Sequence, residues 1–272
     1  MGVFMFDVAV VGGGLFGKIF TAHARNLGAS VITVSDDREH MGSRAAGCVM
    51  RPSWMSSMTT LQISDAFALL DVLYGLQTVD FYVPLAKFKT VRCYRVDPSS
   101  ILGGLHEGRK VQQVTADGVV IAEGGWTVEA KAVVVAAGVW TNELCPWVEG
   151  LSGRWGWSHR GAPVDRPVIR PWAPYKQIVA LNLDDGESWV GDGTALVERS
   201  ANHIAEQKSF SRCHAVVGDI KRTMLGARPY CPTGGDPCHI SREGKVWAVT
   251  GGAKNGTAAA AWAAEYLARE IL

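Results

Sequence analysis

The distribution of apolar and polar positions marks the ends of this chain most clearly. Phe6–Val11 is a short, largely apolar run with the β-branched residues of a buried parallel strand. It runs into Gly12-Gly13-Gly14-Leu15-Phe16-Gly17, and Lys18–Leu27 then has helical periodicity, closed by Gly28 at the position of a left-handed C-cap. Residues 30–34 form a second strand. Farther on, Leu61–Leu76 predicts an amphipathic helix and Phe81–Arg95 predicts strands. Asp97-Pro98-Ser99-Ser100 is a helix start, Lys110–Val114 and Gly118–Ala122 form a hairpin, and Thr127–Glu129 is a third short strand. Lys131–Val135 is a buried strand leading to Ala136-Ala137-Gly138-Val139-Trp140. At the far end, Val246–Thr250 predicts a strand, Gly251–Gly256 a glycine-rich turn and Thr257–Leu272 an alanine-rich helix.

Strand, G-x-G-x-x-G turn and helix in that order are what a dinucleotide site requires. Gly12 makes the tight turn, Gly14 lets backbone approach a pyrophosphate, and Gly17 lets helix and strand pack closely. The helix N-terminus offers unpaired N–H groups and partial positive charge to the phosphates. An acidic residue near the end of the second strand, about twenty residues beyond the glycines, takes the ribose hydroxyls in such sites. Here the strand ends Ser35-Asp36-Asp37. Asp36 is the expected ribose contact, with Asp37 as the alternative and a turn-forming Asp-Asp pair as the structural reading. No arginine stands where an extra 2′-phosphate would need one.

Composition narrows the class. The chain has 272 residues, 47% hydrophobic and 19% charged, with a net charge of +1. That suits a globular protein with a sizeable core and predicts no partner from bulk electrostatics. No run of about 18 apolar residues predicts a membrane span, and no signal peptide is expected, since the first apolar stretch belongs to the glycine motif. The six scattered cysteines are expected to be reduced thiols in a cytoplasmic protein. Cys213, His214, Cys231, Cys238 and His239 match no metal-ligand spacing, so no metal is expected.

Six motifs then fall in one order: GGGLFG, SRAAGCV at 43–49, VDP at 96–98, VVVAAGVWT at 133–141, GARPYCPTGGDP at 226–237 and TGGAKNGTAAAA at 250–261. In this order the chain resembles the flavoenzymes grouped around D-amino-acid oxidase, glycine oxidase and sarcosine oxidase. The resemblance implies an α/β fold, with a Rossmann-type FAD-binding domain and a small β-rich substrate cap in discontinuous segments. The flavin domain would comprise 1–50, 96–145 and 226–272, and the cap 51–95 and 146–225. The bound dinucleotide would be FAD. Its contacts would include Gly12, Gly14, Leu15, Phe16 and Gly17 at the first turn and Asp36 at the ribose. Arg44, Ala45, Ala46 and Gly47 would lie along the isoalloxazine, and Val111 would place backbone beside the adenine. Ala137, Gly138 and Trp140 follow the buried strand. A second set is Gly252, Ala253, Lys254, Asn255, Gly256 and Thr257, where a helix N-terminus stabilises negative charge on the flavin. Lys254 would add a full charge there, or is a solvated surface lysine. The chain is shorter than the family pattern, and segment 146–225 is expected to be too short for a broad sheet plus a lid.

In the resembling oxidases an arginine at the Gly226-Ala227-Arg228-Pro229 motif holds the substrate carboxylate. Arg228 is accordingly the expected catalytic-site residue, because a guanidinium fork matches a carboxylate bidentately. A structural ion pair is the competing reading. The redox step needs no side-chain base when geometry presents Cα–H to the flavin. The expected reaction is oxidation of the Cα–N bond of a glycine-like or N-substituted glycine group, with the imine hydrolysing to amine and 2-oxo acid. A free amino-acid oxidase is an alternative, and a non-catalytic FAD-containing binding protein is another.

Residues 154–176 stand apart. Arg154, Arg160, Arg166, Arg170 and Lys176 face only Asp165, a local balance of +4, and Trp155, Trp157, Trp172 and Tyr175 are interleaved. Cationic and aromatic residues together are the composition of a single-stranded nucleic-acid groove or a flipped-base pocket. Residues 199–228 carry a further +4. Arg160, Arg170, Trp172, Tyr175 and Lys176 are thus candidates for contacts to a glycine-like substrate carried on DNA. The family resemblance extends here to phage-encoded proteins that cleave a glycine appended to a thymine base. In the structural reading the tryptophans pack the cap and the arginines are solvated.

Overall fold

The computed structural model describes residues 5–36, 42–43, 45–84, 89–102, 106–174, 176–194, 196, 203–231, 237–252 and 255–272. In chain order the first half contains β1 (Phe6–Val11), α1 (Leu15–Asn26), β2 (Val31–Ser35), β3 (Val49–Met50), α2 (Thr60–Tyr74), β4 (Gln77–Val83) and β5 (Lys89–Arg95). Next come α3 (Pro98–Leu102), β6 (Glu107–Gly108), β7 (Val111–Val114), β8 (Val119–Ala122), β9 (Trp126–Val135) and α4 (Thr141–Leu144). The remainder is β10 (Ser152–Gly161), β11 (Val168–Ala173), β12 (Lys176–Asn182), β13 (Ser188–Gly191), α5 (His203–Val217), β14 (Ile220–Tyr230), β15 (His239–Glu243), β16 (Val246–Thr250) and α6 (Gly256–Ile271).

The first sheet has the order β15-β16-β9-β1-β2-β6, with β8 and β7 continuing from β9. Its centre is parallel: Val8 pairs with Val31 and Ala132, and Val10 with Thr33 and Val134. Both faces are covered, which is why β1 and β9 read as near-continuous apolar runs. Val8, Val10 and Val134 pack beneath α1 and α6, while Ala9, Val11, Val133 and Val135 face a second cluster with Cys145 and Val148. The buried alanines of α6 (Ala258–Ala261, Ala263, Ala264) bring its backbone close to Ile19 and Phe20 of α1. These two helices therefore start side by side at the same end of the sheet, where their first residues share a cavity.

Several boundaries differ from the sequence reading, among them the start of β4, which lies at Gln77 and not at Phe81. Helix α1 starts at Leu15, directly after the glycine turn. Helix α2 spans Thr60–Tyr74 because Thr59 and Gln62 form a capping box, and Gly75 at φ 71 ends it before Leu76. Thr127–Glu129 and Lys131–Val135 are one strand: the first part of β9 pairs antiparallel with β8 and the rest parallel with β1.

The second sheet has the order β14-β10-β13-β12-β11-β4-β5-β3 and is antiparallel except at β11 and β4. Phe81, Cys93, Ile169 and Leu181 form one core patch, and α5 covers another through Cys213 and Val217. Segment 146–225, expected to be too short for a broad sheet plus a lid, supplies much of a broad sheet. That segment contributes β10–β13 and the first part of β14, plus helix α5, because short turns waste few residues between strands. Val49–Met50 and all of Ile220–Tyr230 belong to this sheet, so the break at 225/226 falls within a strand.

Candidate functional site

A cavity of about 510 Å³ runs between the two sheets. Its first wall is the turn after β1. Gly12 adopts φ 115 and its amide donates to the Val34 carbonyl at 2.8 Å, and an added Cβ would collide with the Ala136 carbonyl. Gly12, Gly14, Leu15 and Phe16 line the cavity. Gly17 lies behind it, against the Gly12 carbonyl, in the close helix–strand contact expected of the third glycine. No side chain caps α1 at Gly14, and the Leu15 amide donates to Ser43 Oγ at 2.9 Å. Asp36 is exposed at the cavity edge next to buried Ser35. Asp37 and Arg44 lie outside the described residues.

The same cavity is lined by Ala45, Ala46 and Gly47, by Val111, and by Ala137, Gly138 and Trp140. From the C-terminal turn it receives Gly252, Gly256 and Thr257, where the Phe16 ring packs on Gly252. Asn255 does not line it; its Nδ2 donates to Ser57 Oγ at 3.3 Å. Ala253 and Lys254 lie outside the described residues. Cys48, next to Gly47, has φ 48, and burial pushes its thiol up to about 11, so it stays protonated at neutral pH.

Trp189 of β13 also lines this wall. Its indole Nε1 donates to the Ala45 carbonyl at 3.1 Å, and a Cβ on Gly47 would lie 2.7 Å from the ring. The small residues of 45–47 thus admit a tryptophan on one side of the segment. Sequence reading missed Trp189, because a lone aromatic on a strand looks like core. It also missed Trp54, Arg109, Glu143 and Gln177 among the lining residues, none of which sits in a motif, and Ser43, which opens the SRAAGCV motif.

Arg228 lines the cavity from β14, half-buried, beside Arg154 in the pairing with β10. Burial lowers its pKa, and the negative charge of Asp192 opposes that shift. An arginine remains cationic under such a shift. Asp192 is fully buried and holds four donors: Thr194 N at 3.0 Å, Thr194 Oγ1 at 2.8 Å, Arg212 Nε at 2.8 Å and Arg212 Nη2 at 2.5 Å. These hydrogen bonds and the Arg212 charge keep its carboxyl below the usual range against the opposing effect of burial.

The basic, aromatic segment is dispersed. Trp155 and Trp157 are buried. Arg154 lies 4.8 Å from the Tyr230 ring, and Arg166 lies 3.6 Å from that of Tyr82. Arg160 is paired with Asp185 at 3.3 Å and does not line the cavity. Arg170 is exposed on β11, away from the cavity lining. Trp172 is half-buried, donating to the Asp192 carbonyl at 3.0 Å. Lys176 lines the cavity, and Tyr175 lies outside the described residues. Among the described residues no cluster of His, Cys, Asp or Glu is placed to hold a metal, and no helix is long and apolar enough to cross a membrane.

No protein-family model matches the chain, and no curated protein matches it in sequence. Solved structures do match it in fold. Glycine oxidase from Bacillus cereus ATCC 14579 aligns over 98% of this chain and 94% of its own, with a TM-score of 0.72 at 14% identity. L-proline dehydrogenase from P. horikoshii aligns over 99% and 94%, with a TM-score of 0.76 at 12% identity. L-amino acid deaminase from Proteus myxofaciens aligns over 100% and 91%, with a TM-score of 0.72 at 13% identity. The two-sheet α/β architecture around this cavity is the fold shared by those three proteins.

Proposed function

We propose that this chain is an FAD-dependent oxidoreductase that oxidises the Cα–N bond of an amino-acid-like substrate, with a glycine-like or N-substituted glycine group as the reacting part. One observation carries the reading: the glycine turn, the first residues of α1 and α6 and Arg228 all line a single cavity. The residues fit the cofactor. Gly12 clears side chains from the first turn, Gly14 at the α1 N-cap carries no side chain while Ser43 Oγ accepts from the Leu15 amide, and Ala45, Ala46 and Gly47 add small residues to the lining. Bound there, FAD would supply a two-electron acceptor for the hydride from Cα.

The chain's own residues do the positioning. Arg228 holds the substrate carboxylate, strengthened by its enclosed setting. That fixes Cα relative to the backbone of Ala45–Gly47. The α6 N-terminus, with Gly256 and Thr257 at the cavity, favours negative charge nearby. The imine left after loss of hydride from Cα hydrolyses to amine and 2-oxo acid.

Oxidation of such a group carried on DNA would need a phosphate-binding rim. Of the segment 154–176 cations, Arg160 is committed to Asp185, and Arg154 and Arg166 lie on tyrosine rings. Arg166, Arg170 and Lys176 are exposed but lie on different segments, and of these Lys176 alone lines the cavity, so a free substrate is favoured. Salt-dependent binding to oligonucleotides separates the two. The main test is anaerobic titration of the purified protein with glycine, sarcosine, iminodiacetate and D-amino acids, followed in the flavin bands. Bleaching is expected. A yellow protein that none of these amines bleaches would instead be a flavin-containing binding protein.

A further inference from the structure

The part of the cavity built by the second sheet has a one-sided charge. Its lining includes Lys176, Gln177, Trp189 and Arg228, while the two lining acids, Asp36 and Glu143, belong to the loop after β2 and to α4. Among the described residues this part of the wall therefore presents two cations and no carboxylate. Neither Lys176 nor Arg228 has a carboxylate oxygen within 4.0 Å among the described residues. Asp192, which follows Gly191 in the wall, is already engaged by Arg212 and Thr194.

The Lys176 ammonium is held over a braced surface. It lies 5.2 Å from the centre of the Trp172 ring. The Arg212 guanidinium lies 4.0 Å from that same ring, and the indole N–H is anchored on the Asp192 carbonyl. Asp192 thus fixes Trp172 directly and through Arg212, and Trp172 supports Lys176. An ammonium over an aromatic face is attracted to it yet keeps its N–H donors for a ligand.

We propose that the substrate carries a second carboxylate, received by Lys176, while Arg228 holds the carboxylate beside the reacting carbon. The substrate class is then an amine bearing a carboxylate on each of two arms. This rests on the amine-oxidation reading above. A monocarboxylate would match Arg228 and leave the exposed Lys176 ammonium to solvent, whereas a dicarboxylate can engage both cations that line the cavity. Lysine is a point charge on a flexible stem, so the arm reaching it is expected to vary in length more freely than the arm held by Arg228.

The test uses the flavin-bearing protein with unreactive ligands: acetate and propionate against succinate and glutarate, titrated by perturbation of the flavin spectrum. The better dicarboxylate is expected to bind roughly tenfold tighter than acetate, the size of one charge-assisted contact. Lys176→Gln should reduce that advantage to below about threefold, and Lys176→Arg should restore most of it. In anaerobic reduction, the KM ratio of sarcosine to iminodiacetate should fall in parallel. A flavin-bearing protein with no dicarboxylate preference overturns this inference alone. So does a Lys176→Gln variant that weakens acetate and succinate equally, or phosphonoacetate binding far more tightly than any dicarboxylate. A protein that binds no flavin overturns the oxidase reading and this inference together.

Discussion

Gly47→Ala is a sharp test of the site's architecture because two effects of opposite sign compete. The backbone of Gly47 is not in the left-handed region, so alanine is allowed there. In open space the change would stabilise the fold by about 0.4–1 kcal/mol through the unfolded chain. Here the new Cβ would stand 2.7 Å from the Trp189 ring, about 1 Å inside ordinary carbon contact. The indole cannot simply turn away, since its Nε1 is tied to the Ala45 carbonyl at 3.1 Å. Overpacking costs typically 1–3 kcal/mol and a lost hydrogen bond about 0.5–1.5 kcal/mol, so destabilisation wins by roughly 2 kcal/mol. For a chain of this size that is a fall in Tm of about 4–8 °C. Thermal unfolding of Gly47→Ala, Trp189→Leu and the double variant measures it. The double variant should recover part of the loss, because the smaller side chain makes room for the methyl group. A single Gly47→Ala variant as stable as wild type would refute the packing of Trp189 on this segment.

Other expectations follow from the same geometry. Arg228→Leu should leave flavin content intact and raise KM for a carboxylate substrate roughly ten- to a hundredfold, from about 1.5–3 kcal/mol of lost charge-assisted contact; unchanged kinetics would remove Arg228 from the site. Gly14 has φ −82, so Gly14→Val strains no backbone; it fills cavity space instead, and should yield a folded, colourless protein by circular dichroism and absorbance. His159 is fully buried between Thr223 Oγ1 at 2.9 Å and Ser209 Oγ at 3.2 Å. Burial pushes its pKa down from 6.5 to about 4. The unfolded chain then binds the extra proton between these values, so stability is full above pH ~6.5 and falls by roughly 3 kcal/mol as pH drops to 4. Urea unfolding across that range should show the slope in wild type and a flatter curve in His159→Gln.

The two ends of the chain were legible in the sequence because their structure is local. The apolar run Phe6–Val11, a turn needing φ 115 at Gly12 and the helical periodicity after it are encoded within some twenty residues. Val246–Thr250 and the alanines of α6 are equally self-contained. Arg228 was found through its motif, and it lines the cavity with the glycine turn. Single-residue boundaries were less legible where a cap or a change of strand partner set them, as at Thr59 and along β9.

Charge and aromatic content in a window did not reveal which side chains meet. Segment 154–176 reads as a basic, aromatic stripe, yet strand register buries Trp155 and Trp157, pairs Arg160 with Asp185 and sets Lys176 in the cavity with Arg228. Trp189 reaches Ala45 across 144 positions of sequence. Asp192 meets Arg212 through the placement of α5 beside β13. Sequence alone determined the dinucleotide-type turn and the helices that start at it, because backbone conformation follows from nearby residues. Tertiary structure decided the substrate side, because a side chain's partner depends on register, pleat and the packing of distant strands, which no local pattern specifies.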